Sequence, residues 1–313
     1  MKEKIRIGTR GSPLALYQAE LVKSLINREF QMIFVEIVKV KTSGDMIRRG
    51  VDHPFETKRI YTKEIEDALL RGDVDLAVHS AKDMSAVLPE GLKIGAAIER
   101  EDPRDCLVSK SFKKFSELPM GVRIGTSSLR RRMQLLRLHP DLIIEEVHGN
   151  VGTRIQKMED GHFDAVVLAY AAIKRLGLGS CVAEVFDPSQ FYPAPGQGII
   201  VAEIREGDSE MEQILRPVNH KTTEKQLECE RAFLRQLQGG CQLPCGIHTT
   251  VQGGKMDASA ILLHIEGHEW IEESHQGPDG ESAKTGQELA EKLLEKGGNE
   301  IIEKIKRSLE AKK

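Results

Sequence analysis

The sequence has no uninterrupted apolar run as long as a membrane-spanning helix needs, about 18 residues or more. We therefore expect no membrane span. The first residues, MKEKI, lead directly into a strand-like segment and lack the apolar core of a secretory signal. Together these two absences predict a cytoplasmic protein.

Cysteine usage, net charge and missing motifs argue against further classes of protein. The five cysteines are an odd number, and without an export signal we expect reduced thiols rather than a disulfide framework. A net charge of −3 argues against general nucleic-acid affinity. The chain has no Walker pattern, and no G-x-G-x-x-G segment follows a strand, so a nucleotide ligand is not favoured.

Length and composition are those of a soluble globular protein. The 313 residues suffice for two or three domains, and 40% are hydrophobic and 30% charged. Strand-like segments at 5–8, 32–42 and 74–78 alternate with helical segments at about 13–28 and 62–71. Such alternation is typical of an α/β fold with parallel strands.

Two pairs of segments resemble each other within the chain. RIGTRGSPL at 6–14 resembles RIGTSSLRR at 123–131, and VDLAVHSAKD at 74–83 is answered by FDAVVLAYAAIKRL at 163–176. The repeat predicts two α/β domains of similar plan that face each other. The alternative is that any two strand–helix junctions look alike over so few residues.

A breaker cluster divides the chain. Pro193–Gly198, PAPGQG, has the composition of a hinge, and the strand after it is expected to return to the first sheet. We predict a first α/β domain formed by 1–98 with 199–217, a second α/β domain at 99–198, and a smaller third domain at 218–313.

The third domain has a different character. A charged helix at 222–236 leads into a cysteine-containing loop, and strands are expected at 249–252 and 258–265. A long amphipathic helix at 283–309, interrupted near Gly297, closes the chain. This order predicts an α+β domain.

The two Gly-Thr turns are candidate anion sites. The N-terminus of a helix offers unpaired N–H groups and a partial positive charge. Arginines in a first helical turn oppose that charge, so their presence indicates a bound anion. The alternative is an ordinary serine N-cap beside a solvated basic face. The candidates are Thr126, Ser127, Ser128, Arg130, Arg131 and Arg132 in the second turn and, more weakly, Arg10 and Ser12 in the first.

Two further segments contribute polar groups to the predicted ligand site. AVHSAKDM carries His79, Ser80, Lys82 and Asp83 at the carboxyl end of an apolar strand, where open α/β sheets bind ligands. VHGNVGTR offers Gly149 for close backbone approach and Arg154 in the next helix, unless it is a plain turn. Together these residues are expected to line a positively charged cleft for a small molecule with several carboxylates or phosphates.

The segment LRQLQGGCQLPCG places Cys241 on a loop directly after two glycines. Its spacing to Cys245 does not fit a thioredoxin-type redox motif. A metal set with Cys229 and His248 matches no common zinc spacing closely, so no metal is expected. An inert loop cysteine and a thiolate used covalently, as nucleophile or anchor, remain open from the residues alone.

The order and spacing of these segments resemble the porphobilinogen deaminase (hydroxymethylbilane synthase) family. The resemblance extends to about residue 250 and rests on RIGTRGSPLAL, KTSGD, VDLAVHSAKD, EREDPRD, RIGTSSLRRRMQL, GNVGTR, PAPGQG and CERAFLRQLQGGCQLPCG. It implies two domains like those of periplasmic binding proteins and a third α+β domain. The first domain would be completed by the strand after the hinge.

The resemblance also implies a transferase of tetrapyrrole biosynthesis. Four porphobilinogen units would be condensed, with loss of ammonia, on a dipyrromethane held by a thioether to Cys241, and hydroxymethylbilane would be released. Asp83 matches the catalytic aspartate. Residues matching the cofactor-binding set are Ser80, Lys82, Thr126, Ser127, Ser128, Arg130, Arg131 and Gln197. Those on the substrate side are Arg10, Ser12, Gln18, His148, Gly149 and Arg154. We expect a monomer with no metal, nucleic-acid or membrane partner.

Two departures from the family pattern bear on elongation. His148 stands where the family usually has arginine, and histidine is shorter and only partly charged at neutral pH. The family's glycine-rich lid is replaced by FETKRIYT at 55–62, with Lys58 and Tyr61 in plausible positions and Arg59 as a substitute cation. The alternative hypothesis is a binding protein of the same fold, without catalysis or impaired in elongation.

Overall fold

The computed structural model describes residues 2–43, 61–237, 243–265 and 268–310. The chain divides into two compact units. The first comprises Met1–Glu101 with Ile199–Leu227, and the second comprises Asp102–Gly198 with Glu228–Lys313. The predicted three-domain division has different boundaries and stays a prediction.

The first unit contains a five-stranded sheet in the order β2-β1-β3-β10-β4. β1 pairs in parallel with β2 and β3, whereas β10 lies antiparallel between β3 and β4. The predicted return of the strand after the hinge is thus confirmed. Its elements are β1 (Lys4–Thr9), α1 (Pro13–Glu29), β2 (Phe34–Lys39), α2 (Lys63–Leu70), β3 (Leu76–Ser80), β4 (Leu92–Ala97), β10 (Ile200–Arg205) and α6 (Ser209–Leu215).

The two faces of this sheet are covered by different helices. Alternate residues of β1 and β3, including Ile7 and Val78, pack with α1 residues such as Val22 in one buried cluster. The opposite face carries Ala77, which packs with Ile65 of α2. Gly8 lies on that face, where a Cβ would be 3.0 Å from a methyl group of Val74, so the position has little room for a side chain. Both faces are therefore buried, as parallel strands require.

The second unit contains a five-stranded sheet of the same plan, in the order β7-β6-β8-β5-β9. β6 pairs in parallel with β7 and β8, and β5 lies antiparallel between β8 and β9. The repeated segments occupy equivalent strands, which confirms the predicted similarity of plan. The elements are β5 (Asp105–Val108), β6 (Arg123–Gly125), α3 (Leu129–Leu138), β7 (Ile143–Glu145), α4 (Val151–Glu159), β8 (Ala165–Ala169), α5 (Tyr170–Arg175) and β9 (Val182–Val185).

The C-terminal part of the second unit is a three-stranded antiparallel sheet packed against helices. The interruption predicted near Gly297 is confirmed, because its φ of 114° lies in the left-handed region and breaks the helix there. The elements are α7 (Lys221–Gln236), which begins in the first unit, and then β11 (Cys245–Gln252), β12 (Lys255–Leu263), β13 (Trp270–Pro278), α8 (Ser282–Leu293) and α9 (Asn299–Glu310).

The predicted fold class, two α/β sheets with a smaller α+β part, is confirmed. β13 was not predicted from the sequence. In the portions of the chain that the structure covers, no helix is both long and apolar enough to cross a membrane.

Candidate active site

A pocket opens at the carboxyl end of β3 in the first unit. Five residues predicted from the sequence meet there, although they lie up to 73 positions apart in the chain. The pocket forms because β1 and β3 are adjacent parallel strands, so the turns that follow them lie side by side. The predicted residues are Arg10, Ser12, Gln18, Ser80 and Asp83.

The walls of this pocket are held by specific contacts. The Ser12 hydroxyl accepts a hydrogen bond from the Ala15 amide at 3.3 Å and caps α1. The Gln18 side-chain amide donates to the Ser80 hydroxyl at 2.7 Å. Gln18 was assigned to the substrate and Ser80 to the cofactor, but the two lie in one pocket.

The charged groups of the pocket have opposite signs. The Arg10 guanidinium stacks over the Tyr61 ring at 4.1 Å from its centroid. Asp83 is half-buried at the end of the short 3-10 turn that follows β3. Lys82 lies in the same turn and is half-buried, but among the described residues it does not line the pocket. The pocket can therefore receive an anionic group and a cationic or N–H group together.

His79 also lines the pocket, and a second group lies beneath it. Its Nε2 is 3.3 Å from a carboxylate oxygen of Glu203 on β10. Glu203 is fully buried and His79 is 5% exposed. The pair is the most deeply buried His–carboxylate contact of the described residues.

In the second unit, the hydroxyl groups before α3 serve local structure. The Thr126 hydroxyl accepts from the Ser128 amide at 3.2 Å, and the Ser128 hydroxyl accepts from the Arg131 amide as an N-cap. The Ser127 hydroxyl donates to the Val147 carbonyl at 2.6 Å. The ordinary N-cap considered above thus forms, and Ser127 ties this turn to the loop that carries His148.

Arg130 and Arg131 are both buried and share one carboxylate. A terminal nitrogen of Arg130 lies 2.8 Å from one oxygen of Asp105, and a terminal nitrogen of Arg131 lies 2.7 Å from the other. Asp105 has no exposed surface. Burial lowers the pKa of Arg130 from its ordinary value, against the opposite effect of Asp105. Two positive charges therefore face one negative charge in a region of low dielectric.

Gln197 completes this cluster. Its side-chain amide donates to Asp105 at 3.0 Å and to the Pro103 carbonyl at 2.7 Å. Arg131 donates to Asp105 through Nε at 2.9 Å and to the Val167 carbonyl at 3.1 Å. Each nitrogen of the Arg131 guanidinium thus has a protein acceptor, so a direct contact of Arg131 with a cofactor stays a prediction.

The VHGNVGTR segment forms an exposed turn before α4. Asn150 caps the helix by accepting from the Thr153 amide at 2.9 Å. Gly149 has a φ of 117°, where only glycine is free of strain. Arg154 donates to the Gly149 carbonyl at 2.8 Å, and His148 lies 3.2 Å from Glu146. The predicted residues of this segment are therefore neighbours, on the same unit as Arg130.

Some predicted groups lie outside the described residues: Cys241, Lys58 and Arg59. Cys245 is buried at the start of β11, which agrees with its interpretation as a bystander. Burial raises the pKa of Cys106 and of Cys229 to about 12, so neither is a reactive thiol. No group of metal-ligating side chains occurs in the part of the chain that the structure describes.

The donor set of the second unit fits a group that bears carboxylates. The cluster of Arg130, Arg131 and Asp105 has an excess of one positive charge, and buried charge favours a counter-ion. The dipyrromethane implied by the sequence resemblance has acetate and propionate side chains. The residues present are therefore of the right charge to hold it.

The fold and the site define a class: an α/β protein with a smaller α+β part, in which the strand ends carry groups suited by charge to a small polycarboxylate. Family models give the finer assignment. "Porphobilinogen deaminase, dipyromethane cofactor binding domain" matches residues 5–213, and "Porphobilinogen deaminase, C-terminal domain" matches residues 225–295. The chain belongs to the porphobilinogen deaminase family.

Two relatives of this family match the chain over nearly its whole length. The chain is 43% identical over 305 residues to porphobilinogen deaminase of Pelobacter propionicus, covering 96% of this chain and 97% of that one. It is 44% identical over 307 residues to the enzyme of the same name from Syntrophobacter fumaroxidans, covering 97% and 98%.

Among solved structures, the chain is similar to the methionine binding protein MetQ, with a TM-score of 0.45, 16% identity and coverage of 69% of this chain and 89% of that chain. It is also similar to the periplasmic aliphatic sulphonate binding protein SsuA from Escherichia coli, with a TM-score of 0.41, 15% identity and coverage of 76% and 71%.

Two residues of these clusters were not predicted as functional: Asp105 and Glu203. Asp105 lies in EREDPRD, where three other acidic residues give it no distinction. His79 was predicted with the AVHSAKDM segment but without a role of its own. Glu203 is 124 residues further along the chain than His79, and only the strand order brings the two together.

Proposed function

We propose that this chain is a porphobilinogen deaminase that condenses four porphobilinogen units and then, as water cleaves the bond to the primer, releases hydroxymethylbilane. The observation that carries the proposal is the pocket of the first unit, where Arg10 and Asp83 place opposite charges at one strand end. Porphobilinogen has the matching groups: two carboxylates, a pyrrole N–H and an aminomethyl group. Membership of the family over nearly the full length supports the same function.

In each cycle, the bond between the aminomethyl carbon and nitrogen breaks, and ammonia leaves. A carbon–carbon bond then forms to the accepting pyrrole, whose α-carbon loses a proton that ammonia finally carries as ammonium. Positive charge develops on the substrate pyrrole as ammonia leaves. The Asp83 carboxylate stabilises this charge, because a fixed negative group in a site with little water acts strongly on it.

Arg10 and Ser12 bind a carboxylate of the substrate and orient the ring. Gln18, held by Ser80, fixes the wall beside them. We also assign Arg154, Gly149 and His148 of the second unit to substrate binding, with His148 as a weaker cation than the arginine usual at that position.

A covalent dipyrromethane supplies the free pyrrole position that accepts each new unit. We assign its attachment to Cys241 and its carboxylates to Lys82, Thr126, Ser127, Ser128, Arg130 and Arg131, with Gln197 beside the rings. Asp105 holds the two arginines in place. The enzyme is proposed to act as a cytoplasmic monomer with no metal.

Intact mass spectrometry and a turnover assay test the proposal together. The purified protein should exceed its sequence mass by two pyrrole units, and Cys241→Ser should lack the excess. Cys245→Ser is the matched control and should keep it. Wild-type protein should convert porphobilinogen to hydroxymethylbilane. If incubation with porphobilinogen added no mass and gave no product, the chain would be a binding protein instead.

A further inference from the structure

His79 and Glu203 form a buried pair at the floor of the first-unit pocket. Their strands are antiparallel neighbours, and the register pairs His79 with Val201 and Glu203 with Ala77. Side chains two apart on a strand share a face, so His79, Ala77 and Glu203 all point to the α2 side of the sheet. The 3.3 Å contact is the diagonal of that ladder.

Glu203 depends on this contact. Among the described residues, neither of its carboxylate oxygens accepts a hydrogen bond, and the residue has no exposed surface. A carboxylate that is removed from water without a partner costs several kcal/mol. The His79 imidazole is the group in contact with this carboxylate, and a positive charge there would offset the cost.

His79 also borders the pocket, whereas Glu203 does not. Nε2 is the ring nitrogen beside Glu203, which leaves Nδ1 as the second N–H donor of the protonated ring. Arg10, which directly follows the adjacent strand β1, lines the same pocket.

Another charged group of β10 near this face has hydrogen-bond and ion-pair partners of its own. Arg205, two residues beyond Glu203, donates to the carbonyls of Leu69 and Val74 at 2.7 and 2.9 Å and pairs with Asp208. The titratable and charged groups on the elements around His79 are, by element, Lys4 and Arg6 on β1, Lys63, Glu64, Glu66 and Asp67 on α2, Glu203 and Arg205 on β10, and Arg10, Tyr61 and Asp83 at the pocket.

We propose that His79 binds a carboxylate of the substrate as an imidazolium, and that Glu203 is the positioning residue that keeps the ring charged. The inference rests on the proposed function and deepens it. With Arg10 and His79, the pocket has one cation for each of the two carboxylates of porphobilinogen. Asp83 is then left for the pyrrole and the leaving amine.

Steady-state kinetics of the holoenzyme across neutral and alkaline pH test this role. His79→Asn should raise KM for porphobilinogen about tenfold or more, because a charge-assisted hydrogen bond is lost, with a smaller effect on kcat. In the wild type, KM should rise as the imidazolium loses its proton with increasing pH. Glu203→Gln removes the buried negative charge, so this rise should begin at lower pH.

His220→Asn is the matched control, because His220 lies in the same unit, bonds Thr223 at 2.8 Å and is not part of the pocket. It should leave KM and its pH profile unchanged. An unchanged KM in His79→Asn, or an unchanged pH profile in Glu203→Gln, would overturn the inference while wild-type turnover still supports the proposed function.

Calorimetric binding of porphobilinogen provides a readout that does not need turnover. In the Asp83→Asn background, adding His79→Asn should weaken binding by the same factor as KM. If the wild type shows no turnover at all, the proposed function fails, and binding to wild type and His79→Asn still tests the carboxylate contact. Equal binding by the two would then reject it.

Discussion

Asp105 and Arg131 form a buried ion pair of 2.7 Å in which the carboxylate is fully inaccessible to solvent. The same carboxylate receives Arg130 at 2.8 Å and the Gln197 amide at 3.0 Å. One side chain therefore orients three residues that were predicted to bind the cofactor.

Replacing Asp105 by asparagine should destabilise the protein by about 3–5 kcal/mol, because two buried guanidiniums lose their shared counter-charge. Thermal and denaturant unfolding measure this change. Glu281→Gln removes an exposed pair with Lys284, which solvent screens, and should change stability far less. Equal effects of the two substitutions would show that the buried cluster is not a special source of stability.

Asp83→Asn should reduce turnover of porphobilinogen by roughly a hundredfold or more, since the fixed negative charge at the pocket is removed. The side chain is half-buried on a short turn, so the melting temperature should change little. The rate of product formation and the melting curve are measured on the same preparation. Near-normal turnover would assign the carboxylate chemistry to another residue.

Asp75 makes an acid-dependent contribution to stability. Burial raises the pKa of Asp75, but the hydrogen bonds from Arg6 and Lys2 outweigh it, so the pKa lies below its ordinary value. A lowered pKa stabilises the folded state above the unfolded-state pKa, and the contribution is lost as pH falls through the folded-state pKa.

Denaturant unfolding of wild type and Asp75→Asn at several pH values checks this. The difference in free energy of unfolding should be constant from neutral pH to about pH 5 and then shrink below about pH 4. A difference that does not depend on pH would mean that the substitution acts through packing alone.

Gly286→Ala should destabilise the C-terminal part of the second unit by at least about 1–3 kcal/mol. A Cβ at this position of α8 would lie 2.1 Å from the Cys229 carbonyl oxygen on α7, and backbone cannot move aside as a flexible side chain can. Gly179→Ala, which meets no atom within 4 Å, is the control and should be neutral. Unfolding midpoints of the two variants give the comparison.

The sequence predicts well those helices and strands whose boundaries are marked by residues within or next to the element. The first helix is predicted at 13–28 and observed at Pro13–Glu29, because Ser12 caps it and Pro13 suits its first turn. β13 was missed, since the segment WIEESHQGP is largely polar and its strand form depends on pairing with β12.

The residues that line the pocket were predicted more completely than the buried residues beneath them. Arg10, Ser12 and Asp83 stand in turns after strands, and such positions can be recognised from the sequence. The partners beneath them cannot, because the contact of His79 with Glu203 depends on the insertion of β10 beside β3. Burial of Asp105 likewise depends on the position of β5 in its sheet.

The strand order has a consequence for synthesis of the chain. In each five-stranded sheet, the antiparallel strand is the first one after the chain has left the other unit, β5 after residue 101 and β10 after residue 198. In the described residues, β4 joins its sheet through β10 alone. A nascent chain of about a hundred residues thus carries β4 with no neighbour to pair with. The sheet of the first unit can be completed only when Ile200–Arg205 has emerged from the ribosome, after all five strands of the second sheet have been made.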